Sequence, residues 1–142
     1  VTDVRNLGAI VRTAECAGVH AVIIPDHGSA QINEDAIKTS SGALLRVPIC
    51  REANLKTAIN LAKQSGIRVV AASEKASQSY LSIRFSDPTL IVMGAEDSGI
   101  SNDILRLCDF RAALPIRGDV QSLNVSVAAA IFMYEVLRQR NG

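Results

Sequence analysis

Apolar residues near the start of the chain recur at the spacing of an amphipathic helix. The apolar positions with i, i+3, i+4, i+7 spacing are Leu7, Ile10, Val11 and Ala14. Asn6 is the predicted N-cap of this helix, and Gly18 is its predicted C-terminal stop. The same kinds of signal predict further helices over residues 33–41, 55–65, 101–108 and 125–138.

Short apolar runs between these helices predict β-strands. The predicted strands cover residues 19–24, 44–50, 67–72, 89–93 and 111–114, with a further short strand over 81–85 inside a serine-rich loop. Pro48 argues that the second strand lies at an edge or contains a bulge. Helices that alternate with strands predict an α/β fold, a parallel sheet flanked by helices, in one domain over residues 1–142.

The last predicted helix has almost no polar face in its first half. A helix that is apolar all round is buried, so we expect it to lie beneath other segments or in a subunit interface. Ser122 and Asn124 stand just before this run. They are either helix caps or groups that hold something polar.

Composition narrows the classes of protein that the chain can belong to. Of its 142 residues 48% are hydrophobic, which suits one compact core, and a net charge of +1 gives no overall basic surface for nucleic acid. The three cysteines are widely spaced, which predicts reduced thiols and a cytoplasmic protein without a structural metal. No apolar run is long enough to span a membrane. Because the chain starts at Val1 close to a motif, we expect an upstream segment.

Three polar loops follow or border predicted strands, where ligands bind in parallel sheets. They contain Asn6 and Arg12, Gly94 and Glu96, and Ser122 and Asn124. Taken singly, each has an ordinary explanation: a solvated arginine, an acidic residue near a helix N-terminus, or a helix cap. The sequence contains no phosphate loop, no GxGxxG dinucleotide motif and no GxSxG hydrolase motif.

Taken together, the loops resemble the three motifs of the SpoU (TrmH-like) family of SPOUT RNA methyltransferases. The matching segments are NLGAIVRTA at 6–14, GAEDSG at 94–99 and LPIRGDVQSLNVSVA at 114–128, in the family's order. The flanking residues are most similar to the subgroup that methylates a guanosine ribose in 23S rRNA. The resemblance implies a C-terminal deep trefoil knot, a homodimer, S-adenosylmethionine as methyl donor, and an RNA ribose 2′-hydroxyl as acceptor.

The resemblance also carries functional residues over to this chain, position by position. It implies catalytic roles for Asn6, Arg12, Glu96, Ser122 and Asn124. It implies a methyl-donor site at Gly94, Leu114, Ile116 and Leu123, with no metal. Arg12 would lie closest to the hydroxyl, held by Asn6 and Glu96, and would orient it together with a neighbouring phosphate.

Other hypotheses remain open at this point. The RNA could be tRNA instead of rRNA, the chain could be a non-catalytic RNA-binding module, or it could be a flavodoxin-like nucleotide-binding domain. The first strand and an N-terminal RNA-binding domain typical of the subgroup are expected to lie outside residues 1–142. Local basic patches for RNA could include Arg5, Arg12, Arg46, Arg51 and Arg117.

Overall fold

A computed structural model describes Val1 and residues 3–26, 30–96 and 98–141. Within these residues the α-helices are α1 (Val4–Ala17), α2 (Glu34–Thr39), α3 (Leu55–Gln64), α4 (Asn102–Leu107) and α5 (Val125–Asn141). The strands are β1 (Val22–Pro25), β2 (Ile49–Glu52), β3 (Arg68–Ala72), β4 (Thr89–Val92) and β5 (Phe110–Ala112). Single 3₁₀ turns cover Ala43–Leu45 and Tyr80–Ser82.

All described strand pairs are parallel, as the alternation of helices and strands predicted. β1 pairs with β2, with Val22 opposite Ile49. The other three strands form a second sheet in the order β4–β3–β5, with Val70 opposite both Ile91 and Phe110. The α/β class with flanking helices is therefore confirmed, although the strands form two sheets where one was expected. Because the strands of the larger sheet are parallel, the segments that follow β3, β4 and β5 leave it at one edge.

Three local predictions are wrong, two of them because a side chain caps the backbone. The N-cap of α1 is Asp3, whose carboxylate accepts hydrogen bonds from the backbone N–H groups of Arg5 and Asn6. Residues 81–85 form no strand, since Ser79 caps a 3₁₀ turn there through Leu81 N. In the predicted strand 44–50, the first half is a 3₁₀ turn and pairing begins only after Pro48.

Most of the buried apolar residues in the described ranges belong to two clusters. One lies around α1, β1 and α2 and includes Leu7, Val11 and Ile24. The other lies between the larger sheet and α5 and includes Val70, Phe85 and Phe132, with the two phenyl rings edge to face at 6.5 Å. α1 packs against both α2 and α5, so it joins the two clusters.

Helix α5 is buried on one side only, so the expectation of burial all round is wrong for the single chain. Its buried residues are Val125, Ala129, Phe132 and Glu135. Val127 and Tyr134 are each 47% exposed. No helix in the described ranges is long and apolar enough to cross a membrane.

The C-terminal half of α5 is tied to the loop before β4. The Gln139 side chain accepts a hydrogen bond from Phe85 N at 2.7 Å and donates to Ile83 O at 2.8 Å. Gln139 also donates to the carboxylate of Glu135, which Arg138 binds through two nitrogens at 2.7 and 2.9 Å. The hydrogen bond from Arg138 lowers the pKa of Glu135 below its usual value of 4.5, and burial opposes this shift.

The hydrogen bonds among Glu135, Arg138 and Gln139 predict a pH-dependent contribution of Glu135 to the free energy of unfolding. A carboxylate with a lowered pKa in the folded state stabilises the protein above the unfolded pKa, and this stability is lost as the pH falls through the folded value. At neutral pH, Glu135→Gln should lower the free energy of unfolding by about 1–2 kcal/mol. Urea unfolding at a series of pH values should show the difference from the wild type shrinking below pH 4.5.

Glu74→Gln is the matched control, because Glu74 is exposed in a loop. The free energy of unfolding of the Glu74→Gln variant should equal that of the wild type at every pH. A Glu135→Gln deficit that is the same at every pH would contradict the role given to this carboxylate.

Candidate active site

The candidate site lies at the edge where β4 and β5 end. Residues 93–100 follow β4, and residues 113–124 follow β5 and lead into α5. The N-terminal turn of α1 reaches the same place, because Asn6 hydrogen-bonds to residues of both segments. One residue of each polar motif therefore lies at this place, although the motifs are far apart in the sequence.

The loop after β4 is closed by its two glycines. A Cβ atom on Gly94 would lie 2.6 Å from the carbonyl carbon of Gly99, so no side chain fits there. Gly99 has φ +70°, which favours glycine. Ala95 and Gly99 exchange both backbone hydrogen bonds, at 3.0 and 3.2 Å. The GxExxG pattern is thus closed as a tight hairpin by its ends, and Glu96, next to Ala95, is exposed.

Asn124 links α5 to α1 through the two ends of one amide. Its Oδ1 accepts hydrogen bonds from Ser126 N at 2.8 Å, from Val127 N at 3.4 Å and from Ser126 Oγ. Its Nδ2 donates to Asn6 Oδ1 at 3.1 Å. Asn124 is therefore a helix cap and, through the same amide, a hydrogen-bond partner of Asn6.

Asn6 continues the chain of hydrogen bonds to the third motif. Its Nδ2 donates to Glu96 Oε1 in a long hydrogen bond of 3.4 Å. Asn6 is available for this because Asp3 caps α1 in its place. The result is a continuous path from the N-terminus of α5 through Asn124 and Asn6 to the Glu96 carboxylate.

The direction of these hydrogen bonds is fixed by chemistry. The N–H groups at the start of α5 can only donate, so the atom of Asn124 that faces them must be its oxygen. The amide nitrogen of Asn124 then faces Asn6, which must present its own oxygen. Asn6 is left with its nitrogen towards a carboxylate, which can only accept when ionised. Each amide is oriented by its neighbour.

The segment from Leu114 to Leu123 is open to a ligand. No described residue forms a hydrogen bond with the backbone N–H or C=O groups of residues 114–123. Ile116 is 37% exposed and Leu123 is 41% exposed, whereas Leu114 is half-buried against the core cluster of α5. Ser122 is exposed and makes no hydrogen bond with a described residue. This edge combines apolar surface with free backbone groups.

Arg12 lies elsewhere, in an open concavity between α1 and residues 40–46. Its guanidinium forms no hydrogen bond or ion pair with Asn6, Glu96 or any other described residue. The expectation that Asn6 and Glu96 hold Arg12 is therefore wrong for the single chain. Arg12 follows Asn6 by six residues, which is about 9 Å along the helix and about a third of a turn around it.

Some residues that shape the site were not predicted. Asp3 frees Asn6 from capping, and the signal was its position just before the apolar periodicity. Ser126 supplies two of the three groups that donate to Asn124 Oδ1. In the sequence, its polar side chain inside an apolar run was the only sign of this role. Within the described residues no group of His, Cys, Asp and Glu side chains could hold a metal ion.

Comparison with known proteins identifies the motifs. The model of the SpoU rRNA Methylase family matches residues 1–134. The chain is 42% identical over 140 residues to the 23S rRNA (guanosine-2′-O-)-methyltransferase RlmB of Pseudomonas aeruginosa, covering 99% of this chain and 56% of the relative. The chain thus spans little more than half the length of that protein.

Solved structures agree with this result. The SpoU methyltransferase AviRb from Streptomyces viridochromogenes, in complex with the cofactor AdoMet, superposes with a TM-score of 0.89 and 30% identity, over 99% of this chain and 57% of that one. The A. aeolicus TrmH/SpoU tRNA modifying enzyme superposes with a TM-score of 0.90 and 32% identity, over 99% of this chain and 72% of that one. The chain therefore belongs to the SpoU rRNA methylase family.

Proposed function

We propose that this chain is the catalytic domain of an RNA methyltransferase that transfers a methyl group from S-adenosylmethionine to a ribose 2′-hydroxyl. The observation that carries the proposal is the hydrogen-bonded path that joins Asn124, Asn6 and Glu96, one residue from each motif. Similarity over nearly the whole chain to a 23S rRNA guanosine-2′-O-methyltransferase supports a guanosine of 23S rRNA as the target. We propose that the protein acts in the cytoplasm, where it would meet this RNA.

The open edge after β5 fits S-adenosylmethionine. Ile116 and Leu123 offer exposed apolar surface, and the free backbone groups of residues 114–123 can bind an adenosine moiety. The carboxylate of Glu96 stands at the same edge and suits a cation. Gly94 keeps the neighbouring hairpin closed, so its role in binding the cofactor is to shape the loop. The bound cofactor supplies a methyl group that its sulfonium charge already activates.

The amide path is suited to holding the acceptor ribose. Ser122, two residues before Asn124, offers an exposed hydroxyl, and the Glu96 carboxylate can accept a hydrogen bond from a ribose hydroxyl. Because the orientation of Asn6 and Asn124 is set by α5, these groups need no rearrangement when the nucleotide binds. Holding the reacting oxygen in place provides a large part of the rate enhancement in such a transfer.

Arg12 binds the negatively charged backbone of the RNA. A guanidinium keeps its proton in proteins, so Arg12 cannot be the base that takes the hydroxyl proton. From its concavity along α1, it can hold a phosphate of the RNA strand that carries the target ribose. The proton then leaves to the phosphate or to water.

A tRNA is the second candidate substrate. The similarity to a TrmH/SpoU tRNA modifying enzyme favours it. Incubation of the purified chain with S-adenosylmethionine and unmodified 23S rRNA or tRNA, followed by mass spectrometry of the nucleosides, separates the two. We expect 2′-O-methylguanosine from 23S rRNA. Methylation of tRNA alone would support the alternative, and binding of RNA without methylation would favour a non-catalytic module.

We also propose that the C-terminal segment forms the deep trefoil knot implied by the family resemblance. Residues after β5 contact distant parts of the chain: Ala113 bonds to the backbone of Gln78 and Tyr80, and Arg140 bonds to Phe85 O and Asp87 O. These contacts support a segment wrapped around residues 78–87. A crystal structure in which the chain can be traced without a break tests this proposal.

The expectation that a strand and an RNA-binding domain lie upstream of residues 1–142 remains a prediction.

We predict that Arg12→Ala abolishes ribose methylation, with a loss of at least about 100-fold in kcat/KM, because the phosphate that positions the target ribose is no longer held. Since Arg12 lies away from the proposed cofactor edge, the dissociation constant for S-adenosylmethionine should change less than about twofold. Isothermal titration and a tritiated-methyl assay measure the two quantities. Near-normal methylation by the variant would refute the role given to Arg12.

We further propose a homodimer that covers the exposed apolar side of α5. Val127 and Tyr134 lie in this surface, each 47% exposed. Tyr134→Glu should convert a dimer into a monomer in light scattering, because a charge would be buried without a partner. Leu61→Glu is the control, since Leu61 is 63% exposed on α3 and should leave the dimer intact. A wild-type monomer, or a dimeric Tyr134→Glu variant, would contradict this interface.

A further inference from the structure

The concavity that holds Arg12 contains a second arginine. It has a volume of about 310 Å³ and lies between α1 and the segment that links α2 to β2. Arg12 and Glu15 line it from α1, and Ser41 and Arg46 line it from the opposite side. It is distinct from the Asn124–Asn6–Glu96 path, which it meets only through α1.

Both guanidinium groups are exposed and unpaired. Neither Arg12 nor Arg46 forms a hydrogen bond through its guanidinium with a described residue. Glu15 lines the same concavity, but within the described part of the chain no carboxylate lies within 4.0 Å of either arginine. The charges of the two arginines and Glu15 sum to +1. Arg106, by contrast, pairs with Asp103 at 3.0 Å.

Two unpaired arginines in one concavity are suited to a phosphate. Guanidinium groups bind phosphate oxygens through paired N–H donors, and two of them can hold one phosphate from opposite sides. The Ser41 hydroxyl, exposed at the rim, adds a further donor. Because Glu15 repels anions, we expect the concavity to bind phosphate with moderate affinity. Moderate affinity suits an RNA backbone that must be released after each reaction.

We propose that Arg46 is an RNA-positioning residue, which with Arg12 binds one phosphate of the RNA strand that carries the target ribose. This inference rests on the proposed function for its substrate, and it adds a residue outside all three motifs. The concavity lies about 9 Å along α1 from Asn6. A phosphate held there fixes the strand while the amide path holds the ribose. Arg46 acts on affinity for RNA, and it does not touch the reacting atoms.

The test is RNA binding by the S-adenosylmethionine-loaded chain, measured as fluorescence anisotropy of a labelled single-stranded oligoribonucleotide at several salt concentrations. Arg46→Ala should weaken binding about tenfold. It should also reduce the slope of log Kd against log salt by about 0.7, the change expected for one lost phosphate contact. Arg106→Ala carries the same charge change outside the concavity and should alter neither quantity.

A second variant shifts affinity in the opposite direction, which a folding defect cannot do. Glu15→Gln removes the negative charge from the concavity, so it should tighten RNA binding about threefold. In the methylation assay, Arg46→Ala should raise KM for 23S rRNA with kcat nearly unchanged. Arg46→Lys should recover only part of the affinity, because an ammonium lacks the paired donors.

The outcomes separate this inference from the proposed function. If the wild type methylates RNA and Arg46→Ala leaves both affinity and salt slope unchanged, the phosphate site is wrong and the function stands. If the wild type transfers no methyl group but Arg46→Ala and Glu15→Gln shift RNA affinity in opposite directions, the site stands and the function fails. Equal weakening by Arg46→Ala and Arg106→Ala would overturn the site, because it indicates general surface charge only.

Discussion

The site depends on a row of hydrogen bonds that can run in only one direction. The free N–H groups at the start of α5 require an acceptor, and Asn124 supplies its amide oxygen. This choice turns the Asn124 nitrogen towards Asn6, and it turns the Asn6 nitrogen towards Glu96. The unpaired N–H groups at the start of α5 thereby set the orientation of side chains from two distant segments, Asn6 and Glu96. The Asn124 amide both caps the helix and belongs to the site.

The rest of the fold holds the ends of this path in place. α1 carries Asn6 and packs against both α2 and α5, so it fixes the distance between the motifs. Gly94 and Gly99 close the hairpin that presents Glu96. The far end of α5 is tied through Gln139 to the backbone at residues 83 and 85. Asn6, Glu96 and Asn124 thus lie on elements that are held by contacts away from the site.

The sequence predicted most elements, because apolar periodicity and capping residues are local signals. Asn33, Asn54 and Ser101 cap α2, α3 and α4 at or next to the predicted helix starts. The errors arose where side chains compete for the same backbone groups, as Asp3 does with Asn6. The division into two sheets could not be predicted, since strand pairing depends on long-range contacts.

The candidate site was predictable only in part. The motifs indicated that Asn6, Glu96 and Asn124 act together, but the order and direction of their hydrogen bonds follow from the position of α5. The place of Arg12 was not predictable in the same way. Its expected contact with Glu96 is absent among the described residues, and it shares a concavity with Arg46, which belongs to no motif.

The most direct test of this account separates the two functions of the Asn124 amide. Asn124→Asp keeps an oxygen that can cap α5 but replaces the donor to Asn6 with an acceptor. The account predicts a melting temperature within a few degrees of the wild type, about 3 °C or less, together with a fall of about 100-fold in kcat/KM for RNA methylation. Asn124→Ser, an uncharged cap without the amide donor, should behave in the same way. Near-normal methylation by both variants would contradict the account.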